Sequence, residues 1–225
     1  MKLFTYIFII LSPFLLFSAC TSNRLTGTAK VDDPVERKTE EPFEEPQQEL
    51  LSSERLIARA PSDWQRIFEL NNGDTRLSTY IPKGEAEDNW QTKLSFEAHE
   101  QLIAVDPISI MMGEISKMDD ICSNIDHSNL FSGLENNYPT SVRLILCGQN
   151  AHSGKGEVSI TKGIQGKDYF YIIRLEKKLD AFEKGKPEFA KNEIAEWSTY
   201  LKRITLCDQA PGTTHPCSSD NNIQD

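Results

Sequence analysis

Hydrophobic and polar positions divide this chain into three regimes. Leu3–Phe17 is almost wholly apolar, broken only by Thr5, Tyr6, Ser12 and Pro13. From Thr21 to about Ala60 large apolar residues thin out. From Pro61 to about Asp208 they return with regular periods, so a core can form there. Ile67–Leu70 and Leu77–Ile81 flank Asn71-Asn72-Gly73-Asp74, a turn cluster that predicts a β-hairpin. Trp90–His99 alternates, with Thr92, Leu94, Phe96 and Ala98 on one face and Lys93, Ser95, Glu97 and His99 on the other. This is the pattern of a half-buried strand.

Asp106-Pro107 then offers an N-cap acceptor followed by proline at the first helical position. Ile108, Met111, Ile115, Met118, Cys122 and Ile125 follow at spacings of three and four, which predicts one apolar helical stripe. Strands are expected over Ser141–Cys147, Glu157–Lys162 and Lys167–Glu176, the last with Tyr169, Tyr171, Ile173 and Leu175 on one face. A closing helix over about Lys191–Leu206 buries Ile194, Trp197, Leu201 and Ile204. The order is βββ-α-βββ-α. Its short turns imply a mostly antiparallel sheet with two packed helices, an α+β domain. Leu50-Leu51 and Leu56-Ile57 read as the start of a short helix leading into it.

The apolar stretch at the start follows Met1-Lys2 and is about as long as a signal-peptide core, short of the roughly 20 residues that span a bilayer. It ends in Leu16-Phe17-Ser18-Ala19-Cys20, which resembles a bacterial lipobox, with Phe17 where the family usually has Leu. The resemblance implies a signal peptide at residues 1–19 and a lipoprotein whose first mature residue, Cys20, carries fatty-acyl chains such as palmitate. Multiple acyl chains anchor a protein stably to a membrane. Thr21 stands where an Asp would retain such a lipoprotein at the inner membrane, which implies the outer membrane, with the domain facing the periplasm or the cell surface.

Charge separates the tether from the domain. Val31–Glu54 carries nine acidic residues against Arg37 and Lys38, with Pro34, Pro42 and Pro46 interspersed. Such a segment cannot bury enough apolar surface to offset its ordering entropy, and its like charges extend it. Residues 20–60 therefore read as a flexible acidic tether, residues 61–208 as the globular domain and residues 209–225 as a tail. The net charge of −10 disfavours nucleic acid as a partner, because phosphate contacts need Lys and Arg.

Beyond Cys20 the cysteines are Cys122, Cys147, Cys207 and Cys217. An even number in an exported chain reads as two disulfides, and four cysteines allow three pairings. Cys122–Cys147 and Cys207–Cys217 are favoured: the first helix must pack on the following strand, and the last two cysteines are close in sequence. A metal site fits poorly, because no pair has C-x-x-C spacing.

Catalytic motifs fail on inspection. His99-Glu100 lacks the second histidine of H-E-x-x-H. Gly163-Ile164-Gln165-Gly166-Lys167-Asp168 has the wrong spacing for a phosphate loop and reads as a turn. His152-Ser153 lies in a Gly-rich turn without a nucleophile elbow. His99, His127, His152 and His215 show no ligand spacing, so no catalytic residue, metal or cofactor is assigned.

Element order across Pro61–Asp208, together with Pro82-x-Gly84-Glu85…Trp90 entering the third strand, resembles the PsbP/Mog1-type domain. The resemblance implies an antiparallel sheet carrying helices, and accessory or assembly roles. The preferred reading is a non-enzymatic envelope lipoprotein whose domain binds or supports another envelope protein. A small-ligand or cell-wall binding module, with an aromatic groove around Trp90 and Tyr171, is the second. A hydrolase with an unrecognised site is the third.

Overall fold

The computed structural model describes residues 52–189 and 191–217. The expected signal peptide, Cys20 and the tether as far as residue 51 lie outside the described residues. Described strands and helices run, in order, β1 (Glu54–Ile57), β2 (Trp64–Asn71), β3 (Thr75–Pro82), β4 (Thr92–His99), α1 (Pro107–Asp119), β5 (Cys122–Glu135), β6 (Tyr138–Asn150), β7 (Gly156–Gln165), β8 (Phe170–Leu179), α2 (Lys191–Arg203) and β9 (Thr205–Asp208). β2 to β8 form one seven-stranded sheet in the order β2-β3-β4-β8-β7-β6-β5, every neighbouring pair antiparallel. β1 and β9 pair separately, also antiparallel. The domain is α+β, mostly antiparallel sheet with two helices.

The helices occupy opposite faces, as the alternation along β8 shows. Tyr171, Ile173 and Leu175 join Leu94, Ile160 and Ile164 in a core closed by Leu201 and Ile204 at the end of α2. Phe170 and Ile172 point the other way, onto Met111 of α1. The face assigned to Leu94 and Ala98 from sequence is the α2 face, and that of Lys93 and Glu97 is the α1 face.

Local chemistry explains the turns. Gly73 adopts φ 89°, and Asn71 and Asn72 accept from the backbone N–H groups of Gly73 and Thr75 at 3.2 and 2.8 Å. At the entry to β4, Glu85 accepts from the N–H groups of Gln91 and Thr92 at 2.6 and 3.3 Å. Asp106 caps α1 by accepting from Ser109 N–H at 3.0 Å. Cys122 pairs with Cys147 and Cys207 with Cys217.

Four expectations are corrected. The apolar stripe of α1 does not continue through Cys122 and Ile125: the helix ends at Asp119, and Cys122 opens a strand whose disulfide partner lies on β6. Ile108, the first residue of the stripe, is exposed, while Met111 and Ile115 are buried. Leu56-Ile57 forms strand rather than helix, since β9 offers it a backbone edge. The closing helix stops at Arg203, and Leu206 sits in β9 instead. β5 was not foreseen at all.

Candidate functional site

The α1 face of the sheet carries a row of charges, which α1 meets through Glu114. Arg174 of β8 lies centrally, donating from Nη1 to Glu97 at 3.3 Å and from Nη2 to Glu114 of α1 at 2.7 Å. Beside it Lys93 meets Glu176 at 3.0 Å, and His99 meets Glu97 at 3.1 Å. Lys93 and Glu176 are directly paired across β4 and β8, Arg174 reaches Glu97 diagonally across the same two strands, and His99 and Glu97 share one face of β4, so the sheet itself sets these spacings.

Between this row and the end of α1 lies a cavity of about 190 Å³. Met118, Ile121 and Ile145 supply apolar lining, and Glu157, Ser159, Thr161 and Arg174 polar lining. Thr161 is 1% exposed, and its Oγ1 has no hydrogen-bond partner among the described residues. Trp90 also lines the cavity, with Lys93 Nζ 4.3 Å and Lys178 Nζ 3.8 Å from its ring centre, within cation–π range.

Tyr171 does not share this cavity, so the groove expected around Trp90 and Tyr171 is not formed. Tyr171 belongs to the α2-side core, and its hydroxyl donates to Glu54 at 3.3 Å. Burial first, and then Glu54, push its pKa well above the ordinary tyrosine value. Glu54 is itself buried at 4% exposure. It also accepts from the backbone N–H groups of Lys167 and Asp168, at 2.7 and 3.4 Å. A Cβ at Gly166 would collide with that carboxylate. The glycine-containing turn that superficially looks like a phosphate loop therefore does cradle an anion, and the anion is the protein's own β1 side chain.

Next to this cradle Lys167 pairs with buried Asp208, which also accepts from Ala210 N–H at 2.8 Å and Thr213 Oγ1 at 3.2 Å. The Lys167 ammonium, chiefly, holds the Asp208 carboxyl far below the usual carboxylate range. His215 stacks on Tyr138 with ring centres 4.1 Å apart, and its ring is fixed by the Asn136 carbonyl at 3.0 Å from Nδ1. The contacts of Glu54 and Asp208 fasten the chain on both sides of the domain to the β7–β8 turn, and those of His215 fasten it to the β5–β6 turn. Together they have the character of a structural clasp.

The third feature is the outer edge of β5, the last strand of the sheet, unpaired on one side among the described residues. Leu130, Phe131 and Leu134 are exposed at 41%, 37% and 64%. His127–Leu134 contains no Asp, Glu, Lys, Arg or Pro, the residues that usually blunt an edge strand. The opposite edge, β2, also exposes Phe68 and Leu70 but carries the Arg66–Glu69 ion pair at 2.9 Å.

The four histidines stay dispersed, and no group of three or more His, Cys, Asp or Glu able to hold a metal is found among the described residues. Among those residues no helix is long and apolar enough to cross a membrane. Sequence reasoning missed Glu54 and Arg174. Arg174 lay within reach, because Lys93, Glu97, Arg174 and Glu176 fall on the polar positions of two strands already expected to alternate. For Glu54 no local signal exists, since it sits in an acidic run and its partners are more than 100 residues away.

No protein-family model matches the chain, and no curated protein matches it. Among solved structures it is similar to the Ran-binding protein Mog1p of Saccharomyces cerevisiae, at 10% identity and a TM-score of 0.38, over 66% of this chain and 84% of that one. A point mutant of Mog1 gives 11% identity and a TM-score of 0.36, over 65% and 84%. LpqN of Mycobacterium tuberculosis, involved in cell envelope biogenesis, gives 9% identity and a TM-score of 0.35, over 71% and 86%.

Proposed function

We propose that this chain is a lipid-anchored envelope protein, acylated at Cys20, whose domain binds another envelope protein through the outer edge of β5. The observation that carries the reading is that edge: a strand of 14 residues, unpaired on one side among the described residues, uncharged over His127–Leu134 and exposing three large apolar residues. An unpaired edge offers a row of backbone donors and acceptors, and an incoming extended segment satisfies them while neighbouring side chains supply specificity. The partner's segment is therefore extended and uncharged, with apolar side chains that meet Leu130, Phe131 and Leu134. The lipobox-like sequence ending in Cys20 supplies the anchor, Thr21 directs it to the outer membrane, and the acidic tether gives the domain its reach into the periplasm or at the cell surface. The role is binding and assembly, not catalysis.

A photo-crosslinking residue placed at Phe131 of the full chain in intact cells tests this. One predominant envelope protein should be captured, and capture should vanish when Leu130→Lys and Leu134→Lys are combined. Both side chains are already exposed, so the fold tolerates the change. Equal capture from a crosslinker at Phe68 on β2, or capture that survives the two lysines, overturns the assignment to β5. Fatty-acid label that persists in Cys20→Ser overturns the anchor.

A further inference from the structure

We infer that the cavity between α1 and the sheet binds a small neutral ligand rich in hydroxyl groups, the size of one six-membered sugar ring. The inference does not depend on β5. An engineered cavity of about 150 Å³ holds a benzene ring, so the cavity of about 190 Å³ has room for one six-membered ring.

Its lining decides the chemistry. Thr161 is 1% exposed and lies on the α1 face, opposite Arg174 in the β7–β8 register. Thr161 lines the cavity, and its buried hydroxyl has no hydrogen-bond partner among the described residues. A buried hydroxyl left unpaired is costly, and a ligand that pairs with it recovers that cost. The cations nearby are already engaged: Arg174 with Glu97 and Glu114, Lys93 with Glu176, and Lys177 with Glu193. Among the described residues Glu157 is held by the Ser153 hydroxyl, at 3.4 Å. A ligand with net negative charge would thus face Glu157, Glu176 and Glu114 while the cations beside it are already committed to carboxylates. A ligand with net positive charge would have to settle beside the Arg174 guanidinium. A neutral hydroxyl escapes both conflicts, since it donates to Glu157 and accepts from, or donates to, Thr161.

The apolar part of the lining suits the rest of such a ring. Met118, Ile121 and Ile145 present apolar surface, and Trp90 adds an indole whose position is fixed by Lys93 and Lys178. An apolar wall facing a few placed polar groups is the general composition of small-ligand sites. A sugar ring, with a C–H face and a rim of hydroxyls, fits both kinds of lining at once.

The test uses the full chain in detergent and three probes: glucose, glucosamine at about pH 6 and glucuronate, each followed by saturation-transfer NMR. Glucose should receive saturation, and the cationic and anionic probes should bind about tenfold more weakly or not at all. Thr161→Val should weaken glucose binding about tenfold, the loss of one good hydrogen bond, without lowering the melting temperature. Glu157→Gln provides a second variant on a less buried residue and should weaken binding to a similar extent. Absence of transfer to glucose from a protein with a dispersed amide spectrum overturns the inference. So does equal or tighter binding of either charged probe, or glucose binding that neither variant changes.

Discussion

Single ionisable side chains do most to fix this domain where its chain ends meet the sheet, and Asp208 shows how. Its side chain is fully buried, yet it meets Lys167 Nζ, Thr213 Oγ1 and Ala210 N–H. Donors on several sides favour the carboxylate over the acid, so the folded-state pKa falls well below the unfolded value of about 3.9. The sign follows from proton counting. The unfolded chain binds the Asp208 proton more tightly than the folded one, so stability rises with pH across that interval. The contribution is complete above the unfolded pKa and is lost as pH falls through the folded value. Asp208→Asn should therefore melt at a lower temperature than the native protein near pH 7, and the difference should shrink steadily below about pH 4. A constant difference across thermal melts from pH 7 to pH 2 would show that the Asp208–Lys167 pair plays no part in the acid limb.

At the level of elements, α2 depends on a residue outside it. Lys162 of β7 is fully buried, and its ammonium donates to the carbonyls of Leu201 and Ile204, at 3.0 and 2.7 Å, and to Glu135. Carbonyls at a helix C-terminus lack intrahelical donors, and a cation there complements the helix dipole. Burial pulls the Lys162 pKa down, opposed by Glu135. Lys162→Met, similar in volume, would take the ammonium from the Ile204 carbonyl and the Glu135 carboxylate, and would leave the Leu201 carbonyl with the Ile204 N–H at 3.3 Å. It should cost roughly 2–4 kcal/mol in urea unfolding, with hydrogen exchange accelerated first over the last turn of α2. The same scale shows what was legible in the sequence. β4 and β8 were readable because each buries one face and leaves charge on the other. β5 was not, because an edge strand exposed on both faces keeps no period of two. The α1 stripe overran because Cys122 and Ile125 happen to continue its spacing, whereas their backbone pairs with β6 opposite Asn150 and Cys147. The cavity was half visible in the polar positions of β4 and β8. Pairing Trp90 with Tyr171 failed because Trp90 precedes its strand and has no face, whereas Tyr171 shares the core parity of Ile173 and Leu175.

For the whole molecule, the decisive question is where the folded unit begins. Composition puts the boundary near Ala60, since acidic residues and prolines dominate as far as Glu54. β1 lies before that boundary, pairs with β9 over Glu54–Ile57, and places Glu54 in the cradle formed by Gly166, Lys167 and Asp168. Leu56 packs against the α2-side core. The Cys207–Cys217 bridge then ties the chain after β9 to the same strand, and a loop of that size stabilises by roughly 3 kcal/mol in the chain-entropy model. The clasp thus joins the tether's root, the β7–β8 turn and the C-terminal segment into one unit, so that the tether enters through a paired strand instead of a loose loop. Two fragments separate the alternatives. One starts at Ser52 and the other at Pro61, both ending at Cys217 with the disulfides formed. The Ser52 fragment should unfold in a single cooperative transition at the temperature of the full chain. The Pro61 fragment loses the acceptor for two backbone N–H groups and the Tyr171 hydroxyl, together with the apolar contact of Leu56. It should be less stable by about 3–5 kcal/mol and show exchange broadening at Lys167, Asp168 and β9. Equal midpoints for the two fragments in urea would mean that β1 is an ornament of the tether, and that the domain begins where composition alone would place it.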